Sequence, residues 1–273
     1  MKLSTKAKTL LSMTAVLLVF ILVFVLVNLL LQPKYMTSLP EGSMISQYYS
    51  EAGGHDVIFI GDCDVYANFS PMEMYREYGI TAYVRGTPQQ LMWQSYYILE
   101  ETLTYETPKV VVLGVSAMRY GDPVSEAYNR LTIDRMRWSA SKLGIIQSSM
   151  TEEEDFWSYV FPVLRYHSRF DELTQEDITY LFQDQSNTFN GYQMNKGVVP
   201  VGTLPAQRPL ADYSLPQICY EYLDRIRLLC AEKGVELVLI KPPSLYPYWY
   251  TEYHQQLQTY ADEHQMHYIN FLD

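Results

Sequence analysis

The sequence predicts an α/β domain with a parallel sheet between two layers of helices, preceded by one transmembrane helix. Two observations lead to this fold class. Short apolar runs that suit buried strands alternate with helical segments, as in βαβ units. An uncharged apolar run at positions 9–31 is long enough to cross a membrane. The sequence therefore predicts a three-layer domain attached to a membrane helix.

The composition excludes several classes of protein. The chain has 273 residues, of which 48% are hydrophobic and 19% charged, so it is neither disordered nor fibrous. Its 31 acidic and 20 basic side chains give a net charge of −11, which repels phosphate backbones, and we expect no nucleic-acid partner. Three cysteines are too few for a disulfide scaffold and form no C-x-x-C pattern. We expect neither a metal nor another cofactor.

The apolar run predicts an uncleaved signal anchor. At about 1.5 Å per residue, a helix over 9–31 spans a hydrocarbon core of roughly 30 Å. Three lysines precede the run and one follows it closely. This bias places residues 1–8 in the cytoplasm and the C-terminal domain outside the cell membrane, with a single pass. A cleaved signal peptide is the alternative, but the run ends in LLLQPKYM, which offers no small-x-small cleavage site.

The rest of the chain divides into a tether, an α/β domain and an insertion within that domain. We expect a tether over 32–54 and a domain over 55–273, in which 121–210 are a helical and loop insertion. Ser70, Pro71 and Glu73 have the spacing of a helix start. Strands are predicted at 56–60, 80–84, 109–115, 235–240 and 267–271, and helices at 70–79, 89–103, 215–233 and 252–264.

The insertion carries three local signals. Thr151 and Glu154 have capping-box spacing and predict the start of an aromatic helix, which Pro162 should kink. An Asn190-Gly191 pair predicts a tight turn.

In parallel sheets, ligands bind outside the carboxyl ends of the strands. Four segments should meet at this edge. They are Gly61-Asp62-Cys63-Asp64 after the first strand, Arg85 to Gln90 after the second, Gly114-Val115-Ser116 after the third, and Lys241-Pro242-Pro243-Ser244 after the fourth.

The strand, the Gly-Asp-Cys sequence and the helix that follows resemble the first block of SGNH/GDSL hydrolases. The segment YGITAYVRGTPQQLMWQSYYILEETL is similar to membrane-anchored bacterial proteins with an SGNH-like ectodomain. The resemblance covers most of 55–120 and the strands and helices at 215–271. It implies a flavodoxin-like, three-layer sheet.

The resemblance also implies roles for individual residues. Cys63 falls on the nucleophilic serine of the family, and Asp62 is a catalytic candidate or a side chain that fixes the turn. Cys63, Gly86 and Ser116 fall on the oxyanion hole, where the family has an asparagine in place of Ser116. Two carboxylates flank Cys63 and should raise the pKa of its thiol. Cys63 could instead be a small, half-buried packing residue.

Three further residues are candidates for substrate binding. Gln89 lies in the loop after the second predicted strand, and Asn129 lies in an aromatic-rich part of the insertion whose rings suit sugars. Lys241 could bind an anionic group of the substrate or remain solvated. Cys219 and Cys230 share a face of one predicted helix and are expected in the core.

The resemblance implies an acyl esterase or O-acyltransferase that acts on a cell-envelope glycan. Its expected partners are that glycan or an acyl-ester substrate. The family's base is a histidine in an Asp-x-x-His block, which this sequence does not contain. We expect the base and a covering helix beyond residue 273, and the chain as given to be nearly inactive. The alternative is a non-catalytic binding or assembly module of the envelope.

Overall fold

The structure is a computed structural model that describes residues 4–33, 44–123, 125–179, 181–182, 189–194, 202–245 and 247–272. The strands are β1 (Val57–Gly61), β2 (Ala82–Gly86), β3 (Val110–Gly114), β4 (Glu236–Lys241) and β5 (His267–Asn270). The helices are α1 (Thr5–Leu31), α2 (Met44–Glu51), α3 (Cys63–Tyr66), α4 (Pro71–Tyr78), α5 (Met92–Tyr105), α6 (Glu126–Ile133), α7 (Ala140–Ser149), α8 (Phe156–Val160), α9 (Val163–Tyr166), α10 (Gln175–Thr179), α11 (Gln217–Lys233) and α12 (Thr251–Glu263). Two 3₁₀ helices cover Ser116–Arg119 and His167–Glu172.

The five strands form one parallel sheet in the order β2-β1-β3-β4-β5. The predicted α/β class with a parallel sheet is therefore confirmed. The chain moves outward from β1 to β2, then crosses back to β3 on the other side of β1. This reversal makes the carboxyl ends of β1 and β3 a topological switch point, where doubly wound sheets bind ligands.

Side chains alternate between the two faces of the sheet, so each face has its own core. Ile58 and Ile60 point with Val111 and Leu113 into a core under α5, α11 and α12. Val57 and Phe59 point to the opposite face, under α3 and α4. Cys219 and Cys230 are buried in the first of these cores as free thiols, as predicted.

The predicted helix boundaries are confirmed where the sequence contains capping residues. Ser70 caps α4, because its hydroxyl accepts a hydrogen bond from the Glu73 N–H at 3.4 Å, and Pro71 is the first helical residue. Gly79 and Gly234 end α4 and α11 in the left-handed conformation, each with a φ of 68°.

The tether predicted over 32–54 is wrong for residues 44–51, which form α2. Met44, Ile45 and Tyr48 are at most 1% exposed, because they lie on one side of this helix and pack against the domain. The predicted tether also covers 34–43, which lie outside the described residues.

A buried ion pair between β2 and α5 is contacted by two tyrosines of α2, which connect this helix to the sheet. Arg85 at the end of β2 lies 2.9 Å from the carboxylate of Glu101 on α5, and both side chains are at most 3% exposed. The ring of Tyr48 lies 3.9 Å from the Arg85 guanidinium, and the Tyr49 hydroxyl donates to Glu101 at 2.9 Å. Because the tyrosines of α2 pack on and bond to this buried pair, α2 belongs to the folded domain.

The insertion differs from its prediction in one place. The Glu154 carboxylate accepts a hydrogen bond from the Thr151 N–H at 2.8 Å, but this pair closes a turn, and α8 begins only at Phe156. Pro162 separates α8 from α9, so the predicted kinked helix is two short helices. The turn at Asn190 and Gly191 is confirmed, with φ values of 52° and 77°.

Helix α1 is the one helix in the described residues that is long and apolar enough to cross a membrane. Its C-terminal end is bound by the insertion. The Leu31 carbonyl accepts a hydrogen bond from Arg169 at 2.7 Å, and the side-chain oxygen of Asn28 accepts one from the Val163 N–H at 2.9 Å. The insertion thus satisfies polar groups at the end of this helix.

Helix α3 rests on glycines at the ends of two strands. A Cβ atom at Gly61 would lie 2.4 Å from a methyl carbon of Val65, and one at Gly114 would lie 2.3 Å from the same carbon. These distances are far below van der Waals contact. Glycine at the ends of β1 and β3 therefore lets Val65 bring α3 directly onto the edge of the sheet.

We predict that Gly114→Ala destabilises the full chain by about 1–3 kcal/mol, because the new methyl group overlaps Val65. Thermal unfolding in detergent, followed by circular dichroism, measures the change. Gly202→Ala is the control, since nothing lies within 4 Å of a Cβ at Gly202. If overlap is the cause, adding Val65→Ala to Gly114→Ala should recover part of the loss. Equal melting temperatures for Gly114→Ala and Gly202→Ala would contradict this packing.

Candidate functional site

A cleft of about 260 Å³ opens at the switch point, beyond the carboxyl ends of β1, β3 and β4. Six of the residues predicted for this edge line it together. They are Asp62, Cys63, Asp64, Ser116, Lys241 and Ser244. The other lining residues are Arg119, Tyr120, Tyr248 and Trp249.

Asp62 fixes the turn from β1 into α3. Its carboxylate accepts a hydrogen bond from the Asp64 N–H at 3.1 Å and caps α3, so the structural alternative for this residue is confirmed. The side chain is 5% exposed. Burial, followed by the charge of Asp64, raises the pKa of Asp62 to about 7.

Cys63 is the first residue of α3 and the exposed one of the three free cysteines. Partial burial of the Cys63 thiol raises its pKa to about 11, and the carboxylates of Asp62 and Asp64 add to this shift. Both charges disfavour the thiolate, as the sequence predicts. The thiol is therefore accessible but held in its protonated form.

Asp64, which follows β1, is hydrogen-bonded to residues at the ends of β3 and β4. Its Oδ2 atom accepts hydrogen bonds from the Ser116 hydroxyl at 3.0 Å and from the Lys241 ammonium at 3.3 Å. The ammonium also donates to the Pro242 carbonyl at 2.7 Å. Lys241 is 2% exposed, so the alternative of a solvated lysine is wrong, and burial lowers its pKa despite the opposing effect of Asp64.

The opposite wall of the cleft is aromatic and carries hydrogen-bond donors. The indole N–H of Trp249 and the Nε–H of Arg119 are buried without a hydrogen-bond partner among the described residues. Arg119 also donates to the Tyr248 carbonyl at 3.3 Å and lies 4.8 Å from the ring centroid of Tyr120. A buried donor without a partner costs free energy, and both donors belong to residues that line the cleft.

Three predicted site residues do not line the cleft. Gly86 is the last residue of β2, pairs with Gly61 and lies beneath Tyr66. Asn129 is 2% exposed, and its amide is bonded to Gln94 at 2.9 Å and to the Ser149 carbonyl at 2.7 Å. The structure therefore places Asn129, a predicted substrate-binding residue, in the core of the insertion, where its amide is already bonded.

Gln89 also lies outside the cleft, in the turn after β2, with a φ of 52°. The neighbouring side chains of this loop are bonded to the insertion and to α5. The Thr87 hydroxyl lies 2.7 Å from that of Thr132, and the Gln90 amide donates to Ser95 at 3.0 Å. These bonds hold the loop against the insertion, away from Cys63.

None of the five histidines, all of which lie in the described residues, lines the cleft. His55 precedes β1, at the opposite edge of the sheet, and lies 2.9 Å from Glu106. His264 and His267 flank the start of β5 at that same edge, as predicted. Within the described residues, no group of three or more histidine, cysteine or acidic side chains could hold a metal ion.

Sequence reasoning missed Arg119, Tyr248 and Trp249. Arg119 lies one turn of 3₁₀ helix after Ser116, and this proximity was the one available signal. Tyr248 and Trp249 follow Lys241 in a loop whose return over the cleft has no signature in hydrophobic periodicity.

We predict that Asp64→Asn lowers the pKa of Cys63 by about one unit, because it removes a carboxylate beside the thiol. At about pH 8 the thiolate fraction should rise about tenfold. Each thiolate becomes about threefold less nucleophilic, so the reaction with a pyridyl disulfide should accelerate about threefold. The pH dependence of this rate, with peptide mapping to exclude the buried cysteines, measures the shift.

The control for this prediction is Asp56→Asn. Asp56 precedes β1 and pairs with Lys109 at 2.7 Å, at the edge of the sheet opposite the cleft. This variant should leave the Cys63 profile unchanged. An unchanged profile in Asp64→Asn, or an equal shift in both variants, would show that Asp64 does not control the thiol.

The chain was compared with protein-family models, with curated proteins and with solved structures, and none of these comparisons found a match. What the cleft can do is therefore inferred from its own groups: an exposed but protonated thiol, two carboxylates, two cationic side chains and an aromatic wall.

Proposed function

We propose that this chain is a membrane-anchored protein whose cleft binds a carbohydrate of the cell envelope and leaves its bonds intact. One observation carries the proposal. Trp249 and Arg119 line the cleft and each has a buried donor without a partner among the described residues, while the thiol of the same cleft is held in its protonated form. Such a cleft offers recognition without an activated nucleophile.

The chemistry of the cleft suits a sugar. Sugar hydroxyls both donate and accept, so they can pair with the donors of Trp249 and Arg119 and with the carboxylates of Asp62 and Asp64. Aromatic rings such as that of Tyr120 can pack against the apolar face of a sugar ring. A volume of about 260 Å³ lies below the range of about 300–1,000 Å³ of drug-sized sites. The cleft therefore suits one sugar unit, such as a chain end or a branch.

The anchor supports the cell-envelope assignment. Helix α1 has the length and composition of a membrane span, and the lysine bias at its ends favours a cytoplasmic N-terminus. In this orientation the cleft faces the envelope, where the substrates of SGNH-like ectodomains are found.

Acyl transfer is the second candidate, because Cys63 is exposed at the switch point and the resemblance to SGNH/GDSL hydrolases implies a nucleophile at this residue. Its thiolate would attack the carbonyl carbon of an ester, forming a thioester bond. The alkoxide would leave and take up the proton released by the thiol. A hydroxyl of the acceptor, or water, would then attack the thioester and restore the thiol. The raised pKa of Cys63 disfavours the first of these steps.

The test measures binding of the full chain, in detergent, to an array of immobilised bacterial envelope glycans. Trp249→Phe keeps an aromatic ring but removes the indole N–H, so it should weaken binding about fivefold, the equivalent of one hydrogen bond of about 1 kcal/mol. Trp157→Phe is the control, because Trp157 is exposed and lies outside the cleft. Melting temperatures confirm that both variants are folded.

Two results would overturn carbohydrate binding. One is the absence of binding to any glycan of the array, and the other is equal binding by the Trp249→Phe and Trp157→Phe variants. Incubation with p-nitrophenyl acetate separates the two candidate functions. An acetyl adduct that forms and turns over on Cys63, seen by intact mass and abolished by Cys63→Ala, would establish acyl transfer instead.

A further inference from the structure

A second cavity, of about 450 Å³, lies between α1 and the insertion. It shares no lining residue with the cleft at Cys63. From α1 it is lined by Phe24, Val25, Asn28, Leu29 and Gln32, and from the insertion by Asp134, Met136, Arg137, Trp138, Lys142, Tyr159, Val160, Phe161 and Pro162. One wall of this cavity is thus the proposed membrane span itself.

The lining of the cavity changes along the axis of α1. Phe24 and Gln32 are eight residues apart, which corresponds to about 12 Å of helix. At the level of Phe24 the cavity is apolar, because the ring of Phe161 lies 5.7 Å from that of Phe24. At the level of Gln32 it is polar, since the Gln32 amide donates to the Asp134 carbonyl at 3.3 Å. A lipid has the same gradient, from acyl chain to headgroup.

Exposed apolar side chains flank the cavity on the insertion. Trp138 is 54% exposed, Trp157 56% and Leu164 55%. Trp157 stacks on Phe161 with 6.0 Å between ring centroids, and Phe161 lies beside the apolar span. Aromatic side chains in this position are typical of the interface between a membrane and water. They indicate that lipid, rather than water, adjoins the cavity.

The polar end of the cavity carries two cationic side chains, Arg137 and Lys142, beside the carboxylate of Asp134. The Lys142 ammonium donates to the carbonyls of Asp134 and Met136, at 3.3 and 2.9 Å, and lies 4.6 Å from the ring centroid of Trp138. Arg137 is exposed and makes no ion pair within the described residues, although its guanidinium lies 4.4 Å from the ring centroid of Tyr49. A guanidinium in this position suits the phosphate of a lipid headgroup.

We propose that this cavity binds one anionic glycerophospholipid of the surrounding bilayer, with an acyl chain along the paired rings of Phe24 and Phe161 and its phosphate beside Arg137. The inference rests on the proposed membrane anchoring and is independent of what the cleft binds. The lipid fills the space between anchor and domain and holds the two together. The outward side of α1 stays free for bulk lipid, since none of its most apolar window is buried.

The test uses the full chain in nanodiscs of phosphatidylcholine with a minor fraction of phosphatidylglycerol, followed by native mass spectrometry. We expect one phosphatidylglycerol to remain bound per chain, enriched over its share of the bilayer. Val25→Trp fills the cavity and should abolish retention. Val23→Trp is the matched control, because this residue lies about 200° around the helix from Val25 and outside the cavity lining.

A second variant tests the headgroup. Arg137→Gln removes the proposed phosphate partner and should reduce the preference for phosphatidylglycerol about fivefold, the usual effect of one basic side chain at an anionic surface. Lys109→Gln, at an exposed lysine on the far edge of the sheet, should leave the preference unchanged.

The outcomes separate this inference from the proposed function. Equal retention by Val25→Trp and Val23→Trp, or retention of phosphatidylcholine in proportion to its abundance, would overturn the lipid site alone. A chain that stays in solution and does not enter nanodiscs would overturn both the anchor and the lipid site. Loss of glycan binding with lipid retained would concern only the cleft.

Discussion

The contact between Val65 and the glycines that end β1 and β3 determines what lies at the carboxyl edge of the sheet. A side chain at Gly61 or Gly114 would occupy the space of the Val65 methyl carbon. With glycine at both positions, α3 lies directly on the two strand ends. Asp64 on this helix then reaches Ser116 after β3 and Lys241 on β4. The cleft, its charges and the position of Cys63 all follow from this close approach.

The same contact explains how the properties of the thiol arise. Because α3 lies on the sheet, Cys63 stands between two carboxylates. Asp62 caps the helix, and Asp64 is bonded to Lys241. The lysine that could have stabilised a thiolate is instead paired with Asp64. Burial, together with the two neighbouring carboxylates, therefore keeps this thiol protonated, and the donors of Trp249 and Arg119 become the more prominent feature of the cleft.

Much of the fold could be predicted because its signals are local. Continuous apolar runs mark the buried strands, and Ser70 and Gly79 mark the ends of α4. Helix α2 was missed because its stability comes from a distant partner, the ion pair of Arg85 with Glu101. In the site, residues directly after β1, β3 and β4 were placed correctly, since these parallel strands end at one edge, whereas Gly86 and Gln89 after β2 lie outside the cleft. Trp249 and the core position of Asn129 depend on loop paths and on packing within the insertion, which no periodicity encodes.

The hydrogen bonds from Arg169 and Val163 to the end of α1 make the joint between this helix and the domain stiff. If α1 crosses a bilayer, the domain cannot swing on a flexible stalk, and any tilt or rotation of the helix turns the domain with it. The cleft would then stay at one distance from the membrane surface as the protein diffuses laterally. Only molecules at that distance could be reached.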